Sequence, residues 1–136
     1  MRKDLKEIIA RYESYHPKPR SFLIKSAFNL AEIAYFGEKR LNGEPWINHA
    51  VRVSEYLLEL GMDAVTLSAG LLHDSFDFGL TSDEIRKEVG PDVADLLINL
   101  TNLKEVRGKG IKNYPLGEKM SILEGLFYPL PRMLGL

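Results

Sequence analysis

The sequence predicts an all-α domain. Three observations carry that prediction. Apolar residues recur at helical spacing along most of the chain, glycine, proline and capping residues punctuate the periodic segments, and no segment sustains two-residue alternation between turn signals. The 136 residues suit one domain, and a hydrophobic content of 45% is enough for one core.

The elements follow in order. Residues 2–15 place Leu5, Ile8, Ile9 and Tyr12 at helical spacing, and His16-Pro17-Lys18-Pro19 stops that helix. Residues 21–36 set Phe22, Leu23, Ala27, Leu30, Ala31 and Ala34 on one broad face. Gly37 to Asn42 reads as a connection. Pro45 suits the first turn of a third helix that runs to about Leu60 and ends at Gly61. Asp63 can cap a fourth, reaching Phe76 or Phe78. Thr81-Ser82-Asp83-Glu84 has the capping-box spacing, so a short helix should run to Glu88 and end at Gly90. Pro91 opens a sixth helix with Val93, Leu96, Leu97, Leu100 and Leu103 inward. Lys104 to Gly117, with Gly108, Gly110 and Pro115, reads as a mobile polar loop, and a last helix is expected over Glu118 to Phe127.

A formal charge of −1 offers no electrostatic case for a nucleic-acid or anionic-membrane partner. Cysteine is absent, which excludes disulfides and thiolate metal sites. The N-terminal stretch is charged throughout and lacks an apolar signal core, and no run approaches the ~18 apolar residues of a membrane span. The expectation is a soluble cytoplasmic protein.

The histidines make a geometric prediction. From His49 to Leu60 the helix rises roughly 16 Å, the chain turns at Gly61-Met62, and from Asp63 to His73 it returns roughly 15 Å. If these helices form an antiparallel hairpin, both imidazoles reach the same level. Ala69 and Gly70, one turn before His73, allow close helix approach. Asp74 adds a carboxylate. Two histidines and a carboxylate suit Mn, Fe or Zn, which polarise phosphoryl groups and generate hydroxide at neutral pH. Spacing alone leaves a second reading open, in which two satisfied core histidines lie beside a surface acid.

Two stretches carry more than spacing. GEKRLNGEPWINHAVRVSEYLLELGMDAVTLSAGLLHD resembles the HD hydrolase domain of the RelA/SpoT family of stringent-response alarmone enzymes. The family pattern runs roughly G-Q-x-R-x-x-G-E-P-Y-I-x-H-P, a helix, then D-x-x-T-x-x-A-x-L-L-H-D. Gly37, Arg40, Gly43, Glu44, Pro45, Ile47 and His49 match, as do Asp63, Thr66, Ala69, Leu71, Leu72, His73 and Asp74. Downstream, TSDEIRKEVGPDVADLLINLTNL resembles the family's T-x-x-x-I-x-x-x-F-G-x-x-V-x-x-L-V-x-x-V-T-K-L, so the likeness covers about residues 20–125 of a single domain spanning 1–136. It implies an HD-type multi-helix fold and Mn2+-dependent removal of the 3′-pyrophosphate from (p)ppGpp, with Fe2+ or Zn2+ as alternative ions. It implies His49, His73 and Asp74 as metal ligands, Arg40 against the guanine nucleotide, and Trp46 in place of the usual tyrosine.

The departures from the pattern are specific. The family follows His-Asp with a Glu-Asp pair that serves the attacking water. Here Asp77 takes the first place and Phe78 the second, or Asp77 matches the second across a loop one residue shorter; either way one acid is gone. Asp77 is then a residual catalytic acid or a solvated surface residue. The family's fourth ligand, an aspartate in L-A-D-R-L-H-N, would fall a few residues beyond Leu136, and the terminus looks truncated or diverged. Leu41 replaces a basic residue and Glu38 a glutamine, so fewer positive charges face the phosphates.

Of the remaining features, Lys104, Arg107, Lys109 and Lys112 form a basic flap or a solvated linker, with the linker favoured. Phe22, Phe28, Tyr35 and Phe36 read as core, and His16 as an exposed helix-end residue. Leu126, Phe127, Leu130, Met133, Leu134 and Leu136 make an apolar tail that fills a groove or mediates self-association into a homo-oligomer. The sequence thus points to a weakened metal-dependent phosphohydrolase. Its alternatives are a non-catalytic nucleotide-sensing or interaction domain and an HD phosphohydrolase acting on other nucleotides.

Overall fold

The computed structural model describes residues 2–108, with side chains through residue 102. Its described residues form α1 (Lys3–Tyr15), α2 (Ser21–Ala34), α3 (Trp46–Glu59), α4 (Ala64–Leu72), a 3-10 turn (Ser75–Phe78), α5 (Ser82–Glu88) and α6 (Pro91–Gly108). The β pairing among the described residues is limited to an isolated bridge between Lys39 and Pro45. The fold is all-α. No helix among the described residues is long and apolar enough to cross a membrane.

Helix α4 is the centre of the bundle, packed against α2, α3 and α6. Its sequence, AVTLSAGLL, has no charged residue, and every residue but Val65 is buried. A helix apolar all round has to be surrounded, and the small side chains of Ala64, Ser68, Ala69 and Gly70 let its neighbours come close. The hairpin of α3 and α4 is antiparallel. The Ser54 hydroxyl donates to the Leu67 carbonyl at 3.2 Å midway along it, and the His49 and His73 rings meet beyond, so contacting positions rise on one helix as they fall on the other. Gly61, at φ +74, makes the left-handed step between the two helices. Asp63 caps α4 by accepting from the Thr66 amide at 2.9 Å. Thr81 and Glu84 form the reciprocal capping box expected for α5.

Several expectations change. The fourth helix stops at Leu72 instead of reaching Phe76 or Phe78, and Asp74, at φ −102 and ψ 2, leaves the helical path before the 3-10 turn begins. Phe28 and Tyr35 are core residues, whereas Phe22 and Phe36 are 62% and 87% exposed. Phe22 lies off the face of α2 defined by Leu23, Ile24, Ala27, Phe28 and Ala31, and Phe36 lies past the helix end. His16 is half-buried, its ring 5.2 Å from that of Tyr12. Helix α6 continues to Gly108, so Lys104 and Arg107 belong to a helix instead of a loop. Lys109, Lys112, the helix expected over Glu118 to Phe127 and the apolar tail lie outside the described residues.

Candidate metal centre

The C-terminal end of α4 builds the site. A helix leaves its last carbonyls without intrahelical partners, and buried ones need side chains. Three side chains serve the end of α4: the Tyr35 hydroxyl donates to Leu71 O at 2.9 Å, the Ser75 hydroxyl to Leu72 O at 2.7 Å, and His73 Nδ1 lies 2.7 Å from Gly70 O. A carbonyl only accepts, so the His73 Nδ1 carries the proton. That bond fixes the ring and turns Nε2 toward Asp74, whose Oδ2 lies 2.9 Å away.

His49 arrives from α3, and its Nε2 lies 3.8 Å from the same Oδ2. The two imidazole centroids are 5.4 Å apart. His49 and His73 are only 8% and 5% exposed, so they share one secluded space. One ligand atom from each of His49, His73 and Asp74 falls within 4.8 Å of the others, and these three form the candidate metal-holding group among the described residues. The donor set fits a divalent ion. Nε2 of His73 and Oδ2 of Asp74 lie 2.9 Å apart, close enough to share a proton or a cation. The carbonyl behind His73 is the outer-shell partner that metal-ligating histidines use.

Charge states follow from the surroundings. Burial, reinforced by His73 and Arg40, depresses the His49 pKa from 6.5 to about 4 despite the opposing pull of Asp74. His49 is therefore neutral at pH 7, and its contact with Asp74 is no ion pair. For Asp74 burial works upward and is the largest single influence. The hydrogen bond and charge of His73, with the Trp46 hydrogen bond and His49, together outweigh it and bring the carboxyl down to about 2.

Sequence reasoning assigned Trp46 to the ligand, but missed its bond to Asp74. Its indole Nε1 donates to Asp74 Oδ2 at 3.0 Å, bridging the start of α3 to the end of α4. A tyrosine–tryptophan exchange keeps an aromatic ring with a donor at its far edge, which is the signal that could have revealed this. The Trp46 ring also meets Phe78 edge-on at 5.0 Å, and Phe78 meets Tyr35 at 5.5 Å. Where the resembled pattern has a second acid in the ungapped alignment, this chain packs a phenylalanine beside the site.

Arg40 is placed by the tight turn before α3. The Gly43 amide donates to Arg40 O and the Arg40 amide to Glu44 O, each at 2.8 Å, with Gly43 at φ +86. From there Arg40 Nη1 reaches His49 Nδ1 at 3.0 Å and its guanidinium lies 5.9 Å from the Trp46 ring centroid. Glu44 holds Arg52 through both carboxylate oxygens, a pair that no periodicity in the sequence advertises. Arg40, Leu41, Asn42, Glu44, Trp46 and Arg52 line a cleft of about 480 Å³, joined to the metal-holding group through the contacts of Arg40 with His49 and of Trp46 with Asp74. Asp77 stands apart from that group, exposed on the 3-10 turn, with its amide donating to Asp74 O at 3.0 Å.

Comparison with known proteins gives the family. A model described as an HD domain matches residues 27–116. A probable GTP pyrophosphokinase of Mycobacterium leprae is 35% identical over 103 residues, 75% of this chain and 13% of that protein. The GTP pyrophosphokinase of Streptomyces antibioticus is 42% identical over 87 residues, 62% of this chain and 10% of that protein. The GTP pyrophosphokinase rsh of Brucella ovis is 31% identical over 101 residues, 74% of this chain and 14% of that protein. This chain therefore spans only 10–14% of the length of these three relatives. It belongs to the HD-domain family, and its relatives there are GTP pyrophosphokinases of the RelA/SpoT kind.

Proposed function

We propose that this domain is a metal-dependent phosphohydrolase of the HD type, directed at the 3′-pyrophosphate of (p)ppGpp and slow in turnover. The observation that carries the reading is the convergence of His49, His73 and Asp74 on one secluded space beside an arginine-lined cleft. The relatives' names, GTP pyrophosphokinase, support a guanine nucleotide as the ligand. His49, His73 and Asp74 would hold the ion, with Mn2+ the leading choice and Fe2+ or Zn2+ compatible with the same donors. When bound, such an ion supplies Lewis acidity toward a phosphoryl oxygen and lowers the pKa of water.

The chain's own residues do the rest. Arg40 and Arg52 supply positive charge at the cleft for a phosphorylated nucleotide, and Trp46 offers it an aromatic wall. Trp46 also orients Asp74. Asp77, exposed three residues beyond Asp74, would be the residual acid that takes up a proton through an intervening water. Phe78 offers no second acid, and a missing acid–base group typically costs ~10²–10⁴-fold in rate.

The test is incubation with Mn2+ and ppGpp, following pyrophosphate release. Release above that of a His73→Ala control supports the reading, and release no greater than the control removes it. Preferential cleavage of a deoxynucleotide panel would redirect the substrate. The packing of Phe78 on Trp46 favours a second reading, a nucleotide-sensing domain that binds without turnover. Calorimetric binding of ppGpp without release would select it, and no binding would discard it.

A further inference from the structure

Arg40 and a metal ion make opposite demands on the His49 ring. A guanidinium donates and never accepts, so the 3.0 Å contact makes His49 Nδ1 the acceptor and puts the ring proton on Nε2, the nitrogen facing Asp74. His73 has the reverse arrangement, with its proton on Nδ1 against Gly70 O. A metal bound by His49 Nε2 needs the proton moved to Nδ1, where it would point at the Arg40 N–H. A metal bound by Nδ1 would take the lone pair that Arg40 now uses. Arg40 has to leave in both cases. It has somewhere to go, because it already lines the cleft of about 480 Å³ and lies 3.7 Å from Glu44.

We propose that Arg40 is a latch whose guanidinium and a divalent cation are mutually exclusive partners of His49, so that metal binding drives Arg40 into the cleft. The proposal rests on the metal reading above and adds its regulation. Linkage makes the effect reciprocal: an oxyanion that captures Arg40 in the cleft frees His49 and tightens the metal. Ion and anionic ligand thus bind with positive cooperativity. The bare site holds itself closed when no anion is present. Arg40 acts here as a positioning residue, through His49.

The experiment is 15N–1H correlation of the histidine side chains at pH 7.5 during titration with diamagnetic Zn2+. In metal-free protein, His49 is expected as the Nε2–H tautomer and His73 with its proton on Nδ1. On adding Zn2+, His49 should convert to Nδ1–H with Nε2 bound, or lose its free Nδ1 lone pair to the ion. Calorimetry should show Arg40→Met binding Zn2+ roughly tenfold to a hundredfold more tightly, the span expected when one charge-assisted hydrogen bond no longer competes. Sulfate should tighten Zn2+ binding severalfold in the wild type and leave Arg40→Met unaffected. A metal-free His49 already protonated on Nδ1 overturns the latch even if Arg40→Met binds more tightly, because removing any nearby positive charge would do that. Unchanged affinity in Arg40→Met, or no sulfate effect in the wild type, overturns it as well. Failure of both proteins to bind Zn2+ removes the metal reading itself, and binding to both with an unmoved His49 ring removes the latch alone. The wild-type spectra need no variant, so a poorly folded Arg40→Met leaves the test intact.

Discussion

Acidifying the metal-free protein from pH 7.5 to pH 5 should destabilise it through His49. The native ring stays neutral down to about pH 4, while the unfolded chain titrates near 6.5. Between those values the unfolded state binds more protons than the native state, so stability is present above pH 6.5 and is lost as pH falls. Each pH unit crossed in that interval costs about 1.36 kcal/mol, which gives roughly 2 kcal/mol by pH 5 and about 3 kcal/mol by pH 4. The ring is 8% exposed, so solvent screening offsets little of this. The assay is urea unfolding in chelator, comparing wild type with His49→Gln. Glutamine keeps an acceptor for Arg40 but does not titrate. The wild type should lose about 2 kcal/mol more than the variant between pH 7.5 and pH 5. Equal pH slopes, or a wild type that gains stability relative to the variant, would refute the claim that burial and cationic neighbours hold His49 neutral.

Two further perturbations test the frame around the site. Trp46→Phe keeps the ring contact with Phe78 but removes the indole donor to Asp74. Loss of such an outer-shell partner should weaken metal binding about 10–100-fold, measured by calorimetry, and raise the Asp74 pKa; an unchanged affinity would show that the bond does not orient the carboxylate. Tyr35→Phe deletes the buried hydroxyl that serves Leu71 O at 2.9 Å and should cost about 1–3 kcal/mol in urea unfolding. A loss below a few tenths of a kcal/mol would mean that the helix end finds another donor.

Much of the fold was legible because its signals are local. Asp63 and the Thr81–Glu84 box announce two helix starts through the chemistry of orphan amides, and both caps form. The hairpin that brings His49 to His73 follows from helical rise and a turn at Gly61-Met62. The end of α4 was not legible. Periodicity continued through Phe76 and Phe78, yet the helix stops at Leu72, where the side chains of Tyr35, His73 and Ser75 take its last carbonyls. One of those donors comes from 36 residues away, a distance that no window of sequence spans. Phe22 differs for a related reason: an aromatic residue next to an apolar stripe reads as part of it, and only the packing of α2 against its neighbours shows that it faces outward. The site's residue types were readable from the motif, but the couplings among them were not. Trp46 reaches Asp74 only once α3 and α4 are docked, and Arg40 reaches His49 only once the turn at Gly43 folds it back over the start of α3.

The central claim is that His49, His73 and Asp74 grip one cation. An anomalous-difference map collected at the zinc edge from crystals grown with Zn2+ tests it most directly. The account predicts one peak per chain between the two imidazoles, about 2.0–2.2 Å from a nitrogen of each ring and from an Asp74 oxygen. A map with no density between those rings, or a peak bound only at surface carboxylates, would contradict it.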